Sequence, residues 1–456
     1  MLKSASKSNP FDFAFFSFLA FFVVIFSSAR ELSFGLVGCT FFLLSLQSLV
    51  LLAYARSALV SLFRIYFVFS LVFFSIIPWI QYKQGVVFWG GNGFSDYDFI
   101  VTNALIFISN ALVAVVYHRS GRGEKESRGP AASRSLDASW KTSFLLIFLS
   151  LACLFGLLAV NNFVFLNLFI RGIIGEVRSS ALETSSVFLI LTMLVRLVPF
   201  FCYLYAVTEK RDNLLLKSLL FVILLLCVFP SGVARYMVGF VYIPVLLVHL
   251  PWLRNGRVFS LALIGSIIIV FPFLDQFRYF ESFDSLAFLP SEEFFFREHF
   301  DAYQQLARVI QVEFVTYGYQ LLGVVFFYVP RILWLDKPVG SGYEMAERLG
   351  YSFNNISMPF LGEGYVNFGL LGVFVFSAAL AFGMSKIDRS FSRYICSDGP
   401  PSYAAAIYFY LCGAFFFVLR GDLLSSTAFV VAGLFSAFLV KMLCGVLSRR
   451  SLSWKR

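Results

Sequence analysis

The stretch His118–Val164 reads HRSGRGEKESRGPAASRSLDASWK followed by TSFLLIFLSLACLFGLLAVNNFV. Its first part carries Arg119, Arg122, Lys125, Arg128, Arg134 and Lys141 among glycines, serines and a proline, which suits a flexible basic tether. Its second part, 142–164, stays apolar over the roughly 20 residues that a helix needs to cross hydrocarbon. A basic loop abutting such a run predicts a membrane span entered from the cytoplasm, because insertion biases Lys and Arg toward that side.

The same pattern along the 456 residues predicts twelve spans. They are 11–29, 32–54, 59–80, 97–117, 142–164, 187–208, 214–230, 236–250, 258–274, 359–385, 403–419 and 423–446. The fold class is therefore all-α, a polytopic membrane protein with both termini inside. With twelve spans the basic segments 118–141, 209–217, 254–257, 386–393 and 449–456 all fall on the inner side, as the charge bias requires. One missed helix would reverse everything downstream. The chain then divides into three parts: 1–274 with nine spans and the basic loop at 118–141, the outer loop 275–358, and 359–456 with three spans and a basic tail.

Composition supports the same class. The chain is 59% hydrophobic, 14% charged and contains 60 phenylalanines, more apolar mass than a soluble domain of this length needs. Its net charge of +10 lies in loops between spans, so it reads as topology and contact with anionic membrane lipid, not as a nucleic-acid surface. Lys3 and Lys7 precede an apolar run with no small-residue cleavage site, which predicts a retained first helix. No cysteine falls in an outer loop, so no disulfide framework is implied.

The outer side departs from the charge bias. Arg30, Arg171, Arg178, Arg235, Arg278, Arg297, Arg308, Arg331, Arg348 and Arg420 all map there, with only Lys83 and Lys337 beside them. A guanidinium is a forked, always-charged donor suited to phosphate or carboxylate, so the set points to an anionic ligand at the outer face. Individually, Arg235, Arg278, Arg171 and Arg178 also fit a snorkelling interface role. Arg64 and Arg196 lie within spans and are expected to pair or snorkel.

Acids complete the candidate site. Glu363 sits in Gly362-Glu363-Gly364-Tyr365-Val366-Asn367-Phe368-Gly369 at the outer mouth of the tenth span. An acid there is costly, which makes it a functional candidate, although a helix-start carboxylate is the plainer alternative. Arg420-Gly421-Asp422 forms the turn between the last two spans, and packing of those spans would aim Arg420 at Glu363. Asp96 and Asp98 form a D-x-D that is more readily chance than a metal site, and no metal or cofactor is expected. Residues 292–313 have the spacing of a surface helix with one apolar face, on which His299 packs. The apolar run 319–329 reads as an interfacial or re-entrant helix. ATP-binding, zinc-protease and redox motifs are absent.

Pro330-Arg331, Lys337-Pro338, Gly342, Ser357-Met358-Pro359, the Gly362–Gly372 run and Leu419-Arg420-Gly421-Asp422 together resemble the O-antigen polymerases of the Wzy type. That family carries an arginine followed after ten residues by glycine in its two major outer loops. Arg331 and Gly342 match in the later loop, whereas Arg171 and Arg178 lead to Leu182 and Leu189, a departure. The resemblance implies a GT-C-like glycosyltransferase of the bacterial inner membrane with its site facing the periplasm. It would polymerise undecaprenyl-diphosphate-linked oligosaccharides, and a chain-length regulator is a further partner the resemblance admits. An acceptor hydroxyl in such a reaction needs a base, for which Glu363 is the first candidate and Asp422 the second. Arg331 and Arg420 are the diphosphate or glycan contacts with motif support, Arg235, Arg278, Arg171 and Arg178 are contacts by placement alone, and Tyr365 offers a ring for stacking on sugar. The alternatives are an O-antigen ligase with a lipid A-core acceptor and, outside enzymes, a lipid-linked-oligosaccharide flippase.

Overall fold

Helix α2, Leu62–Gln84, runs through the middle of a helical bundle, and nearly all of its residues are buried. Its phenylalanines point in every direction, so it has no solvent or lipid face to spare. The computed structural model describes residues 35–55, 59–89, 91–120, 140–170, 186–209, 213–277, 292–392, 394 and 401–453. The expected first span, the interior of the basic tether and Arg30, Arg171, Arg178 and Arg278 lie outside the described residues.

Around α2 stand α1 (Leu36–Ala53) and α3 (Asp96–Arg119), then α4 (Trp140–Val160), α5 (Ser186–Glu209), α6 (Leu214–Cys227), α7 (Arg235–His249) and α8 (Gly256–Gln276). Three short helices come next: α9 (Ala302–Gln311), α10 (Tyr319–Val325) and α11 (Ser341–Leu349). Last are α12 (Phe360–Ser392), α13 (Tyr403–Arg420) and α14 (Leu423–Ser453). Helix α12 packs on α3, α14 on α5, and α13 on α7 and α2. Among the described residues there is no strand, only an isolated bridge between Leu59 and Asn255.

Among the described residues, nine helices are long and apolar enough to cross a membrane. Two expected spans come out shorter: α6 has 14 residues and α7 has 15. At about 1.5 Å per residue each measures little over 20 Å, against about 30 Å of hydrocarbon. Their ends are set by turn residues on both sides of Pro230-Ser231-Gly232. There a Cβ on Gly232 would lie 1.9 Å from the Leu168 carbonyl oxygen, so only glycine lets this turn lie against the 165–170 segment.

Arginines, Arg64 and Arg254 among them fully buried, close helix ends, a role the sequence left open. Arg64 donates to the carbonyls of Leu52 and Ala55 at the end of α1. Arg254 serves Leu247 and Val248 of α7, and Arg389 serves Tyr117 and Ser120 of α3. Arg196 reaches the Cys227 carbonyl of α6 at 3.4 Å. The last carbonyls of a helix lack intrahelical partners and carry partial negative charge, so a cation satisfies both needs. Asp388 does the converse at the start of α2. It accepts from the backbone N–H of Leu62 and Phe63 and from the hydroxyls of Tyr117 and Tyr408, tying four helices together.

Two elements of the 292–358 segment differ from the sequence reading. Residues 292–313 do not form one surface helix but two 3-10 turns, Glu292–Phe296 and Glu298–Phe300, and then α9. Helix α9 is buried between α3 and α12, polar side chains included. Gln304 shows why this is tolerated, since its amide accepts from Phe88 N and donates to the Val86 carbonyl. Arg308, expected on the surface, is likewise buried, donating to Gln311 and to the Asn92 carbonyl and lying 4.3 Å from the Phe94 ring centre. The apolar run 319–329 is helical only over Tyr319–Val325.

Candidate functional site

The first turns of α12 end at a break. Phe368 (φ −145°, ψ 25°) and Gly369 (φ 62°, ψ −148°) leave the helical region, and the helix resumes beyond them. Gly369 occupies backbone space that is essentially restricted to glycine. The break folds the half-helix 360–367 so closely against the resumed helix that a Cβ on Gly372 would stand 1.9 Å from the Gly364 oxygen. Carbonyls freed by the break are taken up by the segment before α10. Thr316 N binds the Val366 oxygen at 2.7 Å, and Gly318 N binds the Asn367 oxygen at 2.9 Å. Leu321 N adds a bond to Asn367 Oδ1 at 2.8 Å.

Glu363 rides on that half-helix and is 1% exposed. Its Oε2 accepts from Ser341 Oγ at 2.7 Å, and its Oε1 accepts from the backbone N–H of Leu423 at 2.8 Å, the first amide of α14. The carboxylate thus sits at two helix starts, its own and that of α14, where unpaired N–H groups favour negative charge. Asp422 stands beside it as the N-cap of α14, accepting from Ser425 N at 3.0 Å. Burial pushes the Asp422 carboxyl above the usual carboxylate range, opposed by the N–H groups of Ser425 and Leu424. Gly340 lies against Asp422 so tightly that a Cβ would be 3.0 Å from the carboxylate. The turn Gly340-Ser341 therefore packs on both acids.

Arg331 is exposed and joined to the same turn. Its guanidinium donates to the Lys337 carbonyl at 3.0 Å and the Pro338 carbonyl at 3.5 Å. Lys337 is a strut: its buried Nζ donates to the carbonyls of Phe327 and Val329, and burial with Arg331 nearby lowers its pKa. Tyr365 packs in the core at 7% exposure, so the stacking face expected of it is covered.

A second cluster lies at the same end of the bundle and was not foreseen. Arg235, at the start of α7, meets Asp275, near the end of α8, at 2.9 Å. His299 holds the other Asp275 oxygen at 2.8 Å, with Arg297 at 3.3 Å. Arg420 is not aimed at Glu363, as expected from the turn, but pairs with Asp301 at 3.1 Å and donates to the carbonyls of His299 and Glu298. Asp301 also accepts from Ser357 Oγ at 2.6 Å. The reason is local: α13 runs to its last residue before the turn, so its final side chain lies over the 298–301 turn, whose carbonyls and acid satisfy a fork. His299 packs against Phe271 and Phe294, ring centres at 6.0 and 5.7 Å, and adds a bond to the Asp275 carboxylate that the sequence did not show. Burial lowers its pKa most, assisted by Arg235 and Arg420 and opposed by Asp275.

The structure thus brings Glu363, Asp422 and, through its loop, Arg331 to one place. It joins Arg235 and Arg420 to a neighbouring network through His299 and Asp301. Ser341, Asp275 and Asp301 were missed; acids interleaved with the outer arginines were the available signal. Asp98 completes a capping box with Ser95 at the start of α3, and Asp96 accepts from Tyr82 at 3.1 Å, so both acids of the D-x-D have structural work. Among the described residues no group of three or more His, Cys, Asp or Glu could hold a metal ion. The chain matches no family model, no curated protein and no solved structure.

Proposed function

We propose that the chain is a glycosyltransferase of the bacterial inner membrane, with twelve spans and a GT-C-like plan. It polymerises undecaprenyl-diphosphate-linked oligosaccharide repeat units at the periplasmic face. The observation that carries this reading is the buried Glu363–Asp422 pair, packed under the Gly340-Ser341 turn and tied through it to Arg331.

In this reading Glu363 takes the proton from an acceptor sugar hydroxyl as that oxygen attacks the donor anomeric carbon. The Ser341 hydroxyl, donating to Oε2, marks the approach an acceptor hydroxyl takes once the turn shifts aside. The leaving group is a lipid diphosphate, whose developing charge is met by guanidinium donors, Arg331 first because it is exposed beside the turn. Arg420, held by Asp301, contributes by ordering the 298–301 turn, and an incoming diphosphate competes for it. The broken α12 is the one feature that favours a flippase, since transporters place ligands at unwound helices. Here the freed carbonyls are bound by Thr316 and Gly318, with Leu321 on the Asn367 side chain, which favours the enzyme.

The test is turnover of a defined lipid-linked oligosaccharide by purified protein. Glu363→Gln is expected to cut the rate by about 10²–10⁴-fold, the usual worth of general-base help, while leaving the melting temperature near wild type. Wild-type turnover by this variant excludes Glu363 as the base. A deletion strain separates the ligase: loss of a polymerase leaves one repeat on the lipid core, and loss of a ligase leaves none.

A further inference from the structure

The turn between α10 and α11 displays apolar side chains that no described part of the protein covers. Ile332 is 89% exposed, Leu333 79% and Leu335 82%, more than Leu371 on the outward face of α12 at 69%. A run of exposed aliphatic residues of this kind marks a contact surface rather than ordinary solvent-facing chain. The tip is held out, not loose. Leu333 N binds the Pro330 carbonyl at 3.0 Å, Arg331 clasps the Lys337 and Pro338 carbonyls, and Lys337 Nζ closes the base on Phe327 and Val329. At that base α10 packs against α12 and α14, whose outward Leu370, Leu371 and Val431 belong to the apolar exterior of candidate spans.

We propose that residues 326–335 form a finger inserted into the phospholipid bilayer, in the leaflet at the end of the bundle that carries Glu363 and Asp422. Ile332, Leu333 and Leu335 enter the acyl region. Trp334 and Tyr328 sit at the head-group boundary where amphipathic rings are favoured. The occupant is the bilayer because the finger continues the lipid-facing surface of α12 and α14, and because its charged residues, Arg331 and Asp336, flank the apolar tip instead of interrupting it. The consequence concerns the site. The finger's base joins the Gly340-Ser341 turn, so insertion fixes the height of the two acids relative to the leaflet surface. This inference rests on the membrane character alone and stands or falls apart from the glycosyltransferase reading.

The experiment places a fluorescent bimane on Leu333→Cys, in full-length protein also carrying Cys39→Ser, Cys153→Ser and Cys396→Ser. The protein is reconstituted in vesicles of phosphatidylcholine and phosphatidylglycerol, with or without brominated acyl chains. Expected is a blue-shifted emission quenched by bromolipid as strongly as a label at Leu371→Cys. A label at Arg348→Cys on α11 is expected to respond to aqueous iodide instead. If the label at 333 follows iodide like the one at 348, the finger lies in water and the proposal is overturned. Ile332→Cys provides an independent second reading, and both substitutions fall at exposed positions that leave the core intact.

Discussion

At the residue scale the arginines have separate jobs inside the spans, at the inner segments and on the outer side. Arg64, Arg196, Arg254 and Arg389 close helix ends, Arg235 and Arg420 are neutralised by Asp275 and Asp301, and Arg331 stays exposed. Removing one member of a buried pair strands the other charge, which costs about 3–5 kcal/mol. Asp275→Ala should therefore lower the melting temperature far more than the paired change Arg235→Met with Asp275→Leu, compared by thermal unfolding in detergent. His299 supplies a pH dependence. Its folded pKa is depressed, so below about pH 6.5, the ordinary histidine value, the unfolded chain binds more protons than the folded one. Stability then falls as pH drops through that value and stops falling only below the folded pKa. Melting temperature measured from pH 8 to pH 5 should decline in wild type and flatten in His299→Gln.

At the element scale the break in α12 positions the candidate site. The apolar run 359–385 was legible because hydropathy summed over about 20 residues outweighs a single irregular position. The break was not, although Gly369 and Gly372 were visible, because glycine in a membrane helix also serves plain close packing. What decides it is the presence of Thr316, Gly318 and Leu321 to receive the freed groups. Gly369→Ala should cost about 1–3 kcal/mol, the usual strain of a side chain in that backbone region, read as a lowered midpoint of thermal unfolding. Because Glu363 rides on the same half-helix, any activity should fall with it. An alanine there that leaves both unchanged contradicts the assigned role of the break. The expected 292–313 helix failed for a related reason. Its periodicity is real in α9, yet the neighbours of α9 bury every side, so the polar face that implied solvent is satisfied by Phe88 and Val86 instead.

At the scale of the whole molecule, charge clusters lock the two ends of the bundle. Asp388 with Arg64, Arg254 and Arg389 holds one end, and the Asp275, His299 and Asp301 network holds the other over the turn beside Asp422. Arg331→Lys and Arg420→Lys keep charge but lose the fork, and both should shorten or abolish the glycan ladder in cells. They differ in stability: Arg420→Lys should also lower the melting temperature, because it bridges three groups of the 298–301 turn, whereas exposed Arg331 should not. Ladders of normal length at normal expression in both variants would remove these arginines from the site.

Membrane character, the succession of apolar helices and the candidacy of Glu363 and Asp422 were determined by the sequence itself. Each depends on residues close together in the chain: apolar length, basic flanks, an acid between glycines. The partners were decided only by the tertiary structure. Ser341 on Glu363, Asp301 on Arg420 and Asp275 on Arg235 pair groups 22, 119 and 40 positions apart, the last being 275 minus 235. Ion pairs and hydrogen bonds act over a few ångströms of space whatever the separation along the chain. Which arginine meets an acid, and which stays exposed, is therefore settled by how the helices pack.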